Sequence, residues 1–244
     1  MPGVRLARVK AIRTWRYLTA GAVLGILLGV ALFLWPGPLA AVAGARAPLP
    51  RLFQAPSYRL VDQLDRPVRS SDFLGKVRIV VTMDPYCTTL CPLTASKVRN
   101  LEQVLKRRHL ARDVQFIAFD IDKLTGPKDL RAFLHQEGVN PNERWLAYLT
   151  GPATMVRSVV HDGYHSSYYS VSNAQAEKLA PSTFQARMNN GVAAKAHAPF
   201  AIMHQSPLYV VDRQGWVRAV YGDASTTPSG VVVNDVARLV GGAG

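Results

Sequence analysis

An α/β fold, with helices flanking a central mixed sheet behind one N-terminal transmembrane helix, follows from three features of this 244-residue chain. Apolar runs at 77–83 and 114–121 have the length of buried strands, and each precedes a stretch with helical apolar spacing. Two short apolar runs, 207–211 and 216–221, flank Asp212, Arg213, Gln214 and Gly215, a strong hairpin signal. Residues 17–35 contain no charge at all.

From the N-terminus, Arg5, Arg8, Lys10, Arg13 and Arg16 stand without an acidic residue before the apolar segment. As a helix, 17–35 spans about 28 Å, close to the thickness of a bilayer's hydrocarbon core. The basic flank places residues 1–16 in the cytoplasm and the rest of the chain on the outer, periplasmic face. Trp15, Tyr17 and Trp35 suit the two interfaces, and Pro36 and Pro38 end the helix. Ala41, Val42 and Ala43 offer a signal-peptidase pattern, and an acid-free basic terminus also fits an organelle transit peptide. The length of the apolar run favours an uncleaved anchor in the inner membrane, with 36–51 as tether and 52–244 as one exported domain.

Within that domain, 58–61 begins a short strand and Phe73-Leu74-Gly75-Lys76 turns into the strand 77–83. A helix from 92 to about 109, the strand 114–121 and a helix from 127 to about 136 follow. This alternation predicts a parallel core with right-handed crossovers. A brief strand at 145–149, a short helix after Gly151 and Pro152, the late hairpin and a helix at 229–240 complete the reading. Residues 161–203 read as irregular, with Tyr164, Tyr168 and Tyr169 able to supply a local hairpin.

Of the formal net charge of +13, residues 1–17 carry +5 and the remainder +8. Export argues against nucleic acid as a partner. Lys106, Arg107 and Arg108 continue an amphipathic helix and read as its solvated end.

The two cysteines of the chain, Cys87 and Cys91, follow a buried strand in VVTMDPYCTTLCP, and His204 precedes the late hairpin. Chemistry in open parallel sheets collects beyond the strands' carboxyl ends, where Cys87 and Asp122 both fall. If the late hairpin packs antiparallel to the central strand, His204 meets the cysteines. Two sulfurs and an imidazole suit monovalent copper or zinc rather than magnesium, calcium or manganese. Residues four apart on one helix face lie within bridging distance, so the same pair can also exchange electrons as a disulfide. Pro92 fits a first helical turn, whose positive dipole end lowers thiol pKa values. A purely stabilising bridge ranks lower, because closing so short a loop restricts the unfolded chain little.

Together these landmarks resemble the Sco/SenC family, membrane-anchored copper proteins of thioredoxin-like fold, over residues 52 to the C-terminus. The resemblance rests on LVDQLDRPVRSSDFLGK, Cys87-x-x-x-Cys91-Pro92, FIAFDID ending at Asp122, WLAYLTG, and His204 followed by LYVVDRQG. It implies copper as cargo, with Cys87, Cys91 and His204 as ligands and Asp122 as an acidic neighbour of the site. It also implies a role in assembling the binuclear copper site of a respiratory cytochrome c oxidase, with the copper-receiving subunit as partner. The alternative is a thiol-disulfide reductase that keeps that subunit's cysteines reduced; a peroxidase lacks its expected isolated cysteine. The chain departs from the family in having Asp84, Pro85 and Thr88 around the first cysteine, and Gly126 at an acidic position.

Other candidates carry ordinary readings. His109 and His135 fall at helix ends, and His161, His165 and His197 in the irregular stretch, where solvation is commoner than ligation. Met83 and Met203 read as core filler, and Asp84 as a turn cap or a neighbour that tunes the thiols.

Overall fold

The computed structural model describes residues 24–30, 47–87, 89–182 and 200–242. The chain divides into Met1–Ala47 and Pro48–Gly244. In the first unit residues 24–30 are helical and exposed, and the rest of the predicted span 17–35 lies outside the described residues. Among the described residues no helix is long and apolar enough to cross a membrane.

The second unit opens with β1 (Phe53–Gln54), β2 (Arg59–Asp62) and β3 (Pro67–Arg69), and a 3-10 turn leads to β4 (Val77–Met83). Helix α1 (Leu90–Arg107), β5 (Val114–Asp120), α2 (Pro127–Gln136) and β6 (Leu146–Thr150) alternate as predicted. Helix α3 (Ala153–Arg157) runs into a π-helical turn, Ser158–Gly163. Then come β7 (Tyr168–Ser172), α4 (Asn173–Leu179), β8 (Phe200–His204), β9 (Leu208–Val211), β10 (Trp216–Tyr221) and α5 (Ser229–Val240).

Eight strands form one mixed sheet in the order β1-β10-β9-β4-β5-β6-β2-β3. Strands β4, β5 and β6 are parallel, while β9 runs antiparallel to β4, as the hairpin reading required. Alternation along β4 sends Val77, Ile79, Val81 and Met83 to the face covered by α1, α2 and α5, and Val80 to the face covered by Tyr58, Val156 and Tyr164. Both faces are therefore covered, which is why β4 and β5 read as mostly apolar runs.

Three differences from the sequence reading have physical causes. Helix α1 starts at Leu90, two residues before the expected Pro92, so Pro92 occupies the third helical position rather than opening the helix. Residues 161–203 are less irregular than expected: β7 and β8 pair antiparallel as a separate ribbon. Tyr168 and Tyr169 do supply the hairpin, but Tyr164 is buried against Phe119 and Tyr209 instead. Edge strand β3 went unseen because it is three residues long and begins with proline, which an edge tolerates.

At the pole where β4 begins, Arg218 and Asp212 form an ion pair of 2.8 Å, with both side chains about 95% buried. The same guanidinium donates to the carbonyls of Leu49 and Pro50. The last residues of the expected tether are thus fastened to β10 at the far end of the sheet from the cysteines.

Candidate metal centre

Strand β4 ends at Met83, and the next four residues make a tight turn. The Cys87 amide donates to the Asp84 carbonyl at 3.1 Å, and the Tyr86 amide donates to Asp84 Oδ1 at 2.7 Å. Asp at the first position and Pro85 at the second are the residues such a turn favours. Cys87 therefore sits in a turn, and only Cys91 belongs to α1. The two thiols meet because the turn folds back over the first helical turn, not because both ride one helix face. Among the described residues, Cys87 Sγ, Cys91 Sγ and a His204 ring nitrogen lie within 4.8 Å of one another, and no other histidine, cysteine or carboxylate joins the group.

His204 arrives from the end of β8, opposite Tyr168 in the ribbon. Its Nδ1 donates to the Gln205 carbonyl at 2.9 Å, and that carbonyl also accepts the Thr82 hydroxyl of β4 at 3.4 Å. A carbonyl can only accept, so the neutral ring keeps its proton on Nδ1 and turns the Nε2 lone pair toward the sulfurs. Nε2 stands 3.7 Å from Cys91 Sγ. Thr82 and Gln205 were missed by sequence reasoning; a lone threonine near the end of an apolar strand was the available signal.

Both cysteines are free. Their ionisation is opposed. The hydrogen bond from Cys91 holds the Cys87 thiol down at about 3 against the effect of burial, helped by His204 and Thr89. Cys91 is fully buried, and burial followed by the neighbouring Cys87 charge raises it well above the usual thiol range, although the Asp84 amide donates to its sulfur at 3.2 Å. Of the pair, Cys87 is the one shifted toward the thiolate and Cys91 the one shifted toward the thiol. Burial lowers the His204 pKa, but the Cys87 thiolate, the Gln205 carbonyl and Asp84 outweigh it, and the net shift is upward. The expectation of lowered thiols therefore holds in direction for Cys87, through its hydrogen bonds with Cys91, His204 and Thr89 rather than through a helix dipole, and fails for Cys91.

Asp122 lies outside the donor group; it is buried, and its Oδ1 accepts the Leu124 amide in a local turn. Asp120, not singled out from the sequence, is the more deeply buried acid. Burial raises its pKa well above the carboxyl range, against hydrogen bonds with Thr125, Asp122 and Thr150. Of the other histidines, His161 pairs with Asp162 and His165 packs on Phe53, while His197 lies outside the described residues. Met83 is core, as expected.

Two thiolate-forming sulfurs and one imidazole nitrogen make a soft, three-donor site whose Cys87 side is partly open to solvent. It suits Cu(I) or zinc, and a dithiol-disulfide couple.

The SCO1/SenC family model matches residues 48–186, more than half of the chain, including both cysteines and Asp122 but ending before His204. The SCO1 protein homolog of Bacillus subtilis (strain 168) is 23% identical over 199 residues, 81% of this chain and 89% of that protein. A SCO1/SenC family lipoprotein from Bacillus anthracis str. Ames has the same fold, with a TM-score of 0.62 at 24% identity over 81% of this chain and 99% of its own. Bradyrhizobium japonicum ScoI, solved with copper bound, gives 0.57 at 16% identity over 77% and 99%. The fold is the thioredoxin-like one expected from the landmark motifs, and with the match running from Pro48 through both cysteines, the chain belongs to the SCO1/SenC family.

Proposed function

We propose that this chain is a copper metallochaperone that carries one copper ion on Cys87, Cys91 and His204 and helps load the binuclear copper site of a respiratory cytochrome c oxidase. The observation that carries the reading is the convergence of two sulfurs and one imidazole within 4.8 Å, drawn from a turn, a helix and a strand up to 117 residues apart. Support comes also from relatives: ScoI of Bradyrhizobium japonicum holds copper, and BsSco is described as a member of a family of cytochrome c oxidase assembly proteins.

The residues divide the work. Cys87, whose thiol is held down, is the open donor through which copper enters and leaves. Cys91 gives up its proton as the metal arrives, and Nε2 of His204 closes the third position. Transfer proceeds by ligand exchange with a docked, copper-receiving subunit. In this reading residues 17–35 anchor the chain in the inner membrane, residues 1–16 stay in the cytoplasm and the domain works on the periplasmic face. Asp122 serves as an acidic neighbour of the site.

Copper titrated into the reduced full-length chain in detergent tests this directly. One equivalent should bind, and binding should be lost in Cys87→Ser or Cys91→Ser; undiminished binding in either variant rejects the proposal.

A second reading, thiol-disulfide reductase, is favoured by one observation: Cys87 is accessible and Cys91 fully buried, the division between an attacking and a resolving thiol. His204→Ala separates the two readings, because it should weaken copper retention while sparing disulfide reduction.

A further inference from the structure

The turn that carries Cys87 is fastened at a point the metal centre itself does not require. Tyr86, the residue before Cys87, extends from the turn so that its hydroxyl donates to Asp129 Oδ1 at 3.2 Å, across 43 residues of sequence. The other carboxylate oxygen of Asp129 accepts the Gly126 amide at 3.0 Å, at the entrance to α2. One carboxylate thus joins the cysteine turn to the start of the helix that follows β5. The turn is also held at its two ends, by β4 through Asp84 and by α1 from Leu90 onward, and Cys87 packs against the core; the Tyr86 bond adds a long-range attachment to these.

From this geometry we infer that Tyr86 and Asp129 form a latch that fixes the position of Cys87, and so sets how tightly the site holds its cargo. Both are positioning residues. The inference rests on the proposed copper reading for its consequence but not for its geometry. It also gives a physical role to one of the chain's departures from the family pattern: Asp84-Pro85 forms the turn that carries Tyr86 to Asp129. Swinging Cys87 outward to release metal requires the Tyr86 bond to open, while Cys91 stays in place on α1.

The test compares the full-length protein with Tyr86→Phe, which keeps the ring and removes the hydroxyl. A second variant, Asp129→Asn, keeps one cap oxygen for Gly126 and removes the second acceptor. In metal-free, reduced protein, iodoacetamide should alkylate Cys87 about five-fold faster in each variant, as expected for the loss of one part-exposed hydrogen bond of ordinary strength. The double variant should be no faster than either single one. Copper retention against a competing chelator should fall by a similar factor, with the melting temperature of the metal-free protein little changed. Wild-type alkylation rates in both variants, or a double variant whose effect is the product of the two, would overturn the latch. Failure of the wild-type chain to bind copper would reject the proposed function instead, and the alkylation rates would still decide the latch.

Discussion

The two poles of the central sheet handle buried charge in opposite ways. Where β4 begins, Arg218 and Asp212 neutralise each other, and the guanidinium also donates to the carbonyls of Leu49 and Pro50. Asp212 is further tied by the amides of Gln214 and Trp216. Where β4 ends, Cys87 is driven down, while Cys91, His204 and Asp120 are driven up. Arg218 and Asp212 satisfy each other at the first pole, beside the buried Arg78, whose Nη2 donates to the Asp212 carbonyl. Groups displaced from their usual ionisation at the second compete for protons, and a soft cation can displace those protons. Perturbed ionisation of this kind marks working sites more than structural ones.

The contrast can be broken most forcefully at the metal pole. His204→Ala should weaken copper retention by more than the roughly 10–100-fold that loss of a supporting neighbour costs, read by competition with a chelator. At the other pole, Arg218→Ala should leave copper stoichiometry unchanged and destabilise the domain by about 3–5 kcal/mol in urea unfolding, since Asp212 is left buried without its partner.

Ionisation sharpens the comparison further. Because Cys87 is held near 3 and Cys91 well above 9, iodoacetamide should modify Cys87 at pH 5 and spare Cys91 until the solution is strongly alkaline, as peptide mass spectrometry would show. The sign for metal follows. Cys91 must shed a proton to bind, so copper affinity should rise with pH through the neutral range and binding should acidify a weakly buffered solution. The smallest effect is expected at Thr82→Val, which removes the hydroxyl from Gln205. The His204 carbonyl partner then has one support fewer, and copper retention should fall by about ten-fold or less.

How much of this was legible depended on the range of the forces involved. Strands β4 and β10 were read to the residue and helices α2 and α5 closely, because their apolar periodicity and terminal residues are local signals. The convergence of His204 on the cysteines was also foreseeable, since it followed from one antiparallel packing of the late hairpin on β4. The β7–β8 ribbon was only partly so: its partners lie 28 to 36 residues apart and β7 carries two serines and is mostly exposed, leaving no alternation to follow in that strand. The position of Cys87 was misread for a simpler reason. A spacing of four fits a helix, but Asp84-Pro85 is a turn signal, and turn chemistry at that point overrode the spacing. Asp120 escaped notice because a carboxyl at the end of an apolar strand looks like an ordinary strand terminus until burial is known.

The central claim, that Cys87, Cys91 and His204 hold one ion together, is tested most directly by X-ray absorption at the copper edge of the loaded full-length protein. Two sulfur neighbours and one nitrogen are predicted, with the nitrogen lost in His204→Ala. A single sulfur, or a nitrogen that survives that substitution, would contradict the account.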